Sequence, residues 1–390
     1  MIRPPGRLLF AALILLVGIN LRPSLAAIGP LLDQIQHDTG MDDTQASLLT
    51  SVPVLLKGLC LLGTGRVQAM LGQRGGVTAG LAALVLAGAM RWLWPVIPVL
   101  LASAVIGGMG IAVVQAMLPT IIRHRAGSQT AILMGFYSTA IMGGAAVASF
   151  TAPRIALAQG WALATGVWAL PALVGAAVWW RATGTIRTAA PAEPGGTEPG
   201  GAVYNHPRSW LLLAFFGLGT GAYTLVLAWL PPYYTGLGLS AQDAGTLLSA
   251  LTLAEVAAGI GVAMAVGRCA DRRPIILLAI GALVAGLLCL SLAPLPLAGC
   301  AVLLCGLGIG ALFPLGLIVA MDHGRDAAEA GRIAGFVQGG GYVLATILPL
   351  IAAILRQHLS DLTLAWWLMA ALCLILALMA FRLRPGARLS

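Results

Sequence analysis

Three ionisable side chains sit deep inside apolar stretches of this 390-residue chain: Arg22, Lys57 and Glu255. Arg22 belongs to Val17-Gly18-Ile19-Asn20-Leu21-Arg22-Pro23-Ser24-Leu25. The surrounding apolar run, Leu8 to Leu32, is long enough to cross a bilayer as a tilted helix. An arginine near the centre of such a helix costs roughly 2.5–3.5 kcal/mol on an insertion scale, so it must face a bundle interior, water or an anion. Its helical neighbours Gly18, Ala26 and Gly29 are small, and Pro23 frees a backbone carbonyl beside the charge. The stretch reads as an anion site near mid-membrane. The alternative is an arginine paired with a neighbouring helix.

Lys57 follows Pro53 by one turn and shares a face with Thr50, Cys60 and Thr64, while Glu255 shares one with Thr252 and Gly259. Burial disfavours each charge alone, and a mutual pair restores both. Such a pair would be a gate, a proton-coupling switch or a plain interhelical bridge. Two positive charges against one negative suit a monoanion better than a cation. Gln115 shares a face with Gly108 and Ala112, one turn before Pro119. It either contacts a small planar ligand, opposite an aromatic at Phe313, or bonds a carbonyl freed by Pro119. Tyr137, Tyr223, Gln338 and Tyr342 divide between ligand contact and hydrogen bonding from helix to helix.

The elements that must position these groups are membrane helices. The composition is 59% hydrophobic and 9% charged, with a mean hydropathy of +0.94. Soluble domains carry roughly 25% charged residues. Apolar runs predict twelve spans: 8–32, 44–66, 75–94, 96–122, 128–152 and 161–181, then 208–234, 241–267, 274–293, 295–321, 330–355 and 362–383. The expected fold is an all-α membrane protein of two six-helix bundles, 1–182 and 208–390. A Pro/Gly/Glu-rich cytoplasmic linker, 183–207, joins them. With these spans, only Arg91, Arg154 and Arg356 of the 22 Lys/Arg fall on the outer side, and Arg22 and Lys57 fall within the membrane. That asymmetry places both termini in the cytoplasm and accounts for the +9 net charge without a nucleic-acid partner. Trp92, Trp94, Trp229, Tyr233, Tyr234, Trp366 and Trp367 are expected in interfacial belts. The N-terminal run is too long for a cleaved signal and reads as an uncleaved first span. The six cysteines have no metal-ligand spacing, and no nucleotide loop or catalytic triad is present, which argues against an enzyme, a metal and a cofactor.

The halves repeat. Gly108-Met-Gly-Ile-Ala-Val-Val-Gln115 matches Gly306-Leu-Gly-Ile-Gly-Ala-Leu-Phe313, and Gly135-Phe136 matches Gly335-Phe336. Gly65 to Arg74 matches Gly267 with Asp271, Arg272 and Arg273. Duplicated halves with substrate held near the midplane are a transporter architecture. The two loop segments resemble the signature loop of the major facilitator superfamily, Gly-x-x-x-Asp-Arg-x-Gly-Arg-Arg. The first copy has Ala69 in place of the Asp, and the second keeps Asp271 but lacks the later glycine. The resemblance implies that Gly65, Arg74, Gly267, Asp271 and Arg272 brace cytoplasmic helix ends during the conformational cycle.

A closer resemblance spans almost the whole chain. It rests on Asn20-Leu-Arg22-Pro23, Ile28-Gly-Pro-Leu-Leu32, Gly107-Gly-Met-Gly110, Gln115-Ala-Met-Leu-Pro119, Ala228-Trp-Leu-Pro231, Phe313-Pro314, Asp322-His323 and Gln338-Gly. In that order these are similar to the cyanate transporter family, which includes cyanate and nitroimidazole transporters of bacterial inner membranes. The resemblance implies a monomeric secondary transporter of a small organic or inorganic monoanion in the inner membrane, with the bilayer as its other partner. Asn20, Arg22, Lys57, Gln115, Tyr137, Tyr223, Phe313, Gln338 and Tyr342 are its candidate binding residues, and Glu255 with Lys57 its candidate coupling groups. Lys57 and Glu255 stand where the family pattern carries no charge. The competing expectation is a proton-coupled exporter of a neutral nitroaromatic or antibiotic. It is weakened by Gly143-Gly144 lacking the preceding proline of drug antiporters.

Overall fold

A computed structural model of the chain describes residues 7–63, 70–126, 129–183, 206–266, 268, 271–324, 327–359 and 361–383. Every regular element among the described residues is a helix, and 12 helical segments are long and apolar enough to cross a membrane. They run Leu8–Thr39, Asp43–Leu62, Gln73–Leu93, Ile97–Arg123, Ile132–Gln159 and Trp161–Ala182, then Pro207–Gly236, Ala241–Val266, Arg273–Leu292, Ala298–Asp322, Glu329–Leu359 and Thr363–Arg382. These are spans one to twelve below. Span one runs past its expected end because Leu32–Thr39 adds a polar helix, closed by Gly40 in the left-handed conformation at φ 74°. Gly65 and Gly267 of the loop motifs, and most of the linker, lie outside the described residues.

The chain divides into two units: Met1–Met41 with Leu48–Glu198, and Asp42–Ser47 with Pro199–Ser390. In the first, Leu13, Ile14 and Val17 of span one pack with Val77 and Leu81 of span three, Val114 and Met117 of span four, Tyr137 and Ile141 of span five, and Trp179 of span six. Leu157, Leu278 and Leu378 are exposed, as expected of side chains that meet lipid. With lipid as apolar as leucine, close van der Waals fit joins membrane helices, and small residues permit it.

The repeated glycines show that fit in both units. A Cβ at Gly108 would lie 2.6 Å from Pro53 Cα of span two, and one at Gly110 would lie 2.5 Å from Gly80 O of span three. In the second unit a Cβ at Gly306 would lie 2.5 Å from Leu251 O of span eight, and one at Gly308 would lie 2.7 Å from Ala279 O of span nine. Each pair of sequence-matched glycines therefore seats its helix against equivalent neighbours.

The aromatic-belt expectation divides. Trp92, Trp94 and Trp367 are exposed, but Trp229, Tyr233, Tyr234 and Trp366 are buried. The Trp229 indole donates to Pro349 O at 2.9 Å, Tyr233 to Leu290 O at 2.7 Å and Tyr234 to Pro294 O at 3.2 Å. An aromatic with one polar tip suits an interface, and it equally suits a helix seam that offers a carbonyl.

Candidate functional site

Span one is not a continuous helix. Arg7–Ile19 stops, Pro23–Ala26 forms a single turn, Gly29–Leu31 is a 3₁₀ turn, and Leu32–Thr39 resumes. Arg22 occupies the position before the short turn, and its carbonyl accepts from the Leu25 and Ala26 N–H groups, both at 3.0 Å. The side chain is half-buried within the first unit.

Three carbonyls released by the break have specific neighbours. In a regular helix Leu16 O would take the Asn20 N–H, but that N–H goes to Val17 O at 3.2 Å. The Asn20 side-chain amide donates to Leu16 O instead, at 2.6 Å. Asn20, expected to contact substrate, thus has this amide donor committed to the fold. Ile19 O would take an N–H from residue 23, which is Pro23 and has none. Gly144 of span five packs there, so close that a Cβ would overlap the oxygen. Ser24 O would take the Ile28 N–H, which goes to Leu25 O at 3.2 Å. Arg91 of span three donates to Ser24 O at 2.6 Å.

Lys57 is half-buried on span two, with Arg22 within electrostatic reach. Cys60, one turn nearer the loop, touches Met109 of span four, Sγ to Sδ 3.5 Å. Tyr137 of span five is buried, and its ring would lie 3.3 Å from a Cβ at Gly18, one turn before Arg22. The Gln115 amide oxygen is buried with no hydrogen-bond partner. The first unit therefore brings Lys57 and Tyr137 beside the broken span that carries Arg22.

The second unit brings rings together. Phe313 of span ten and Tyr342 of span eleven have centroids 6.5 Å apart. Phe216 of span seven, absent from the sequence reading, meets Phe313 at 5.4 Å and Tyr342 edge-on at 5.7 Å. The signal for it was present, since Phe216, Thr220 and Tyr223 recur on one helical face. Thr220 is buried with its hydroxyl unpartnered, and Tyr223 and Gln338 are half-buried. Glu255 is 4% exposed, and Gly310 of span ten packs directly against its backbone.

The loop motifs do different work in the two units. Arg74 donates to Trp180 O at 2.7 Å and stacks over the Trp180 ring, 3.7 Å from its centroid. Arg272 lies 3.5 Å from the Asp322 carboxylate and also donates to Val266 O. Asp271 does not join that ion pair. Arg273 holds it through its guanidinium at 2.8–3.1 Å and its backbone N–H at 3.0 Å. Those hydrogen bonds keep the Asp271 carboxyl below its ordinary 3.8. Among the described residues no cluster of His, Cys, Asp or Glu could hold a metal ion.

The sequence reading counts Arg91 among three outer-side charges and gives it no site role; its side chain is 3% exposed. A charge beside Trp92 and Trp94 resembles an interface anchor, and only its partners Ser24 and Ser103 reveal the inward direction.

Residues 8–347 match the Major Facilitator Superfamily. The chain is 35% identical over 374 residues to the cyanate transport protein CynX of Escherichia coli K12, covering 95% of this chain and 96% of that one. It is 28% identical over 351 residues to the 2-nitroimidazole transporter of the same organism, covering 88% and 87%. Among solved structures, a D-xylose-proton symporter superposes with a TM-score of 0.79 at 14% identity, covering 98% of this chain and 99% of that chain. A bacterial homologue of the human lysosomal transporter Spinster does so at 0.74 and 15%, covering 96% of each. These two establish the fold. With twelve apolar spans, a chain-long family match and a full-length relative, the chain is a multi-pass membrane transporter of the Major Facilitator Superfamily and belongs to its cyanate transporter family.

Proposed function

We propose that this transporter carries a small monoanion of the cyanate type by alternating access, and that the anion binds at the broken first span. The observation that supports this reading is Arg22 in a non-helical turn inside the membrane, with Lys57 in electrostatic reach. Gln115 and Tyr137 orient the anion in the first unit. Tyr223, Phe313, Gln338 and Tyr342 are the proposed ligand contacts of the second unit, and Glu255 the proposed group that takes up the coupled proton. A monoanion that moves with one proton transfers no net charge, so a pH gradient drives it directly. The functional halves are 1–182 and 208–390, joined by a cytoplasmic linker at 183–207. The protein works as a monomer in a bacterial inner membrane, with both termini in the cytoplasm. The cyanate relative supports the anionic substrate.

The test is uptake of labelled cyanate into proteoliposomes, with and without an inward-acid gradient. Wild type should accumulate cyanate faster with the gradient. Removing one partner of a buried hydrogen-bonded charge pair costs about 2–5 kcal/mol, so Arg22→Ala should lose about 30-fold or more of that uptake while melting like wild type. Glu255→Gln should abolish the response to the gradient. Normal uptake by folded Arg22→Ala overturns the anion site. A second reading, export of a neutral nitroaromatic, draws support from the 2-nitroimidazole relative and the three packed rings. Uptake driven by an inside-acid gradient in everted vesicles, seen with nitroimidazole and not with cyanate, would favour it.

A further inference from the structure

We propose that Arg91 is a positioning residue for substrate binding: it clamps the Ser24 carbonyl and so fixes how the 22–26 turn presents the Arg22 guanidinium. The proposal rests on the anion-site reading above.

Arg91 lies in the last turn of span three and is 3% exposed. Burying a guanidinium inside a membrane unit is costly, so its contacts must repay the loss of water. Its Nη1 donates to Ser24 O at 2.6 Å and its Nε to Ser103 Oγ at 2.8 Å. Ser103 spends its own hydrogen on Leu100 O at 2.6 Å, which turns an oxygen lone pair toward Arg91. Span four therefore aims the guanidinium, and the guanidinium holds span one. Among the described residues no carboxylate pairs with Arg91. Its positive charge therefore stays beside the same turn that carries Arg22.

The clamp acts on a turn with little freedom of its own. Pro23 fixes one dihedral, and Arg22 O is tied to the Leu25 and Ala26 N–H groups. Ser24 lies inside that closed loop, so displacing its carbonyl rotates the whole turn and Arg22 with it. No backbone N–H within span one replaces Arg91, because the Ile28 N–H is used at Leu25 O. Hydrogen bonds with an ionised donor are about twice as strong as neutral ones, which makes an arginine the effective clamp.

The experiment uses the full chain, with labelled cyanate in proteoliposomes and amide hydrogen exchange in detergent. Arg91→Lys keeps the charge but puts all its donors on one nitrogen, where the arginine uses two separate nitrogens for the two acceptors. It should raise KM about tenfold and leave Vmax, per folded molecule, within about twofold; losing a hydrogen bond to a charged group typically costs about 10–100-fold. Arg91→Ala should raise KM about 100-fold. Ser103→Ala, with Arg91 intact, should raise it by a smaller factor. Exchange should quicken in Arg91→Ala across 24–28 and stay unchanged in span seven. A lowered Vmax with unchanged KM, or unchanged exchange across 24–28, overturns the proposal. The two readings separate cleanly: normal uptake by Arg22→Ala removes the anion site, whereas exchange at 24–28 reports the clamp whatever the substrate.

Discussion

Spans one and seven open matching halves of the chain, yet one is broken and the other continuous. Span seven is one helix from Pro207 to Gly236, and the second unit places its interruption in span eleven, between Ala345 and Ile347. There Pro349 cannot supply an N–H to Ala345 O, and the Thr224 hydroxyl donates to it at 2.8 Å. Trp229 takes Pro349 O. In the first unit the corresponding service at Ser24 O falls to the charged Arg91. Both units therefore break a helix and satisfy the released carbonyl from a neighbouring span, as a membrane interior demands. The first does so with cations gathered at the break, and the second with neutral groups beside a set of rings. The two breaks share the same backbone problem, and the charge placed around each distinguishes them.

The strongest way to break this comparison is to jam the first break. Gly144→Val puts a branched side chain into the Ile19 carbonyl and should abolish uptake and lower folded yield. Gly143→Val, one residue away with open space around it, should behave as wild type in size-exclusion profile and uptake. Equal damage from both would remove the special status of the 19–24 region.

The next test sits in the second unit. Aromatic pairs contribute about 0.5–1.5 kcal/mol beyond area burial, so Phe313→Leu should reduce cyanate uptake by about 2–10-fold, well short of the Arg22→Ala loss. A larger loss than that of Arg22→Ala would move the main ligand contacts to the rings. Thr224→Val should lower stability by about 0.6 kcal/mol, the average for a hydrogen bond between membrane helices, read from the melting temperature in detergent.

The smallest effect concerns His323, which follows span ten and is buried, with Nδ1 2.7 Å from Val319 O. Burial pushes its imidazole below the ordinary 6.5, against the raising effect of Val319; Arg208 lowers it further, and Asp322 opposes. The unfolded chain therefore binds the proton first, and stability declines as pH falls through 6.5. The melting temperature should drop between pH 7.5 and 5.5, and His323→Gln should shrink that drop. An identical drop in both proteins would clear His323 of the effect.

Much of this architecture was legible because hydropathy and glycine spacing are local signals. The twelve spans follow from apolar runs, and matched glycines such as Gly108 and Gly306 announce the repeat in one dimension. The details that failed depend on partners distant in sequence. Arg91 looks like an interface charge until Ser24 and Ser103 are beside it. Trp229, Tyr233 and Tyr234 look like belt residues until Pro349, Leu290 and Pro294 supply acceptors. Asn20 sits within the family motif, and its type alone cannot say whether the amide serves a ligand or Leu16 O.

The stack of Arg74 on Trp180 has a practical corollary. The indole is 48% exposed, with a guanidinium held over its face by a hydrogen bond to its own carbonyl. Moving the first turn of span three, which carries Arg74, off Trp180 would strip that cation away and alter the emission of the ring. In a variant with the remaining tryptophans changed to phenylalanine, Trp180 becomes an optical gauge of that contact, readable during turnover without an attached dye.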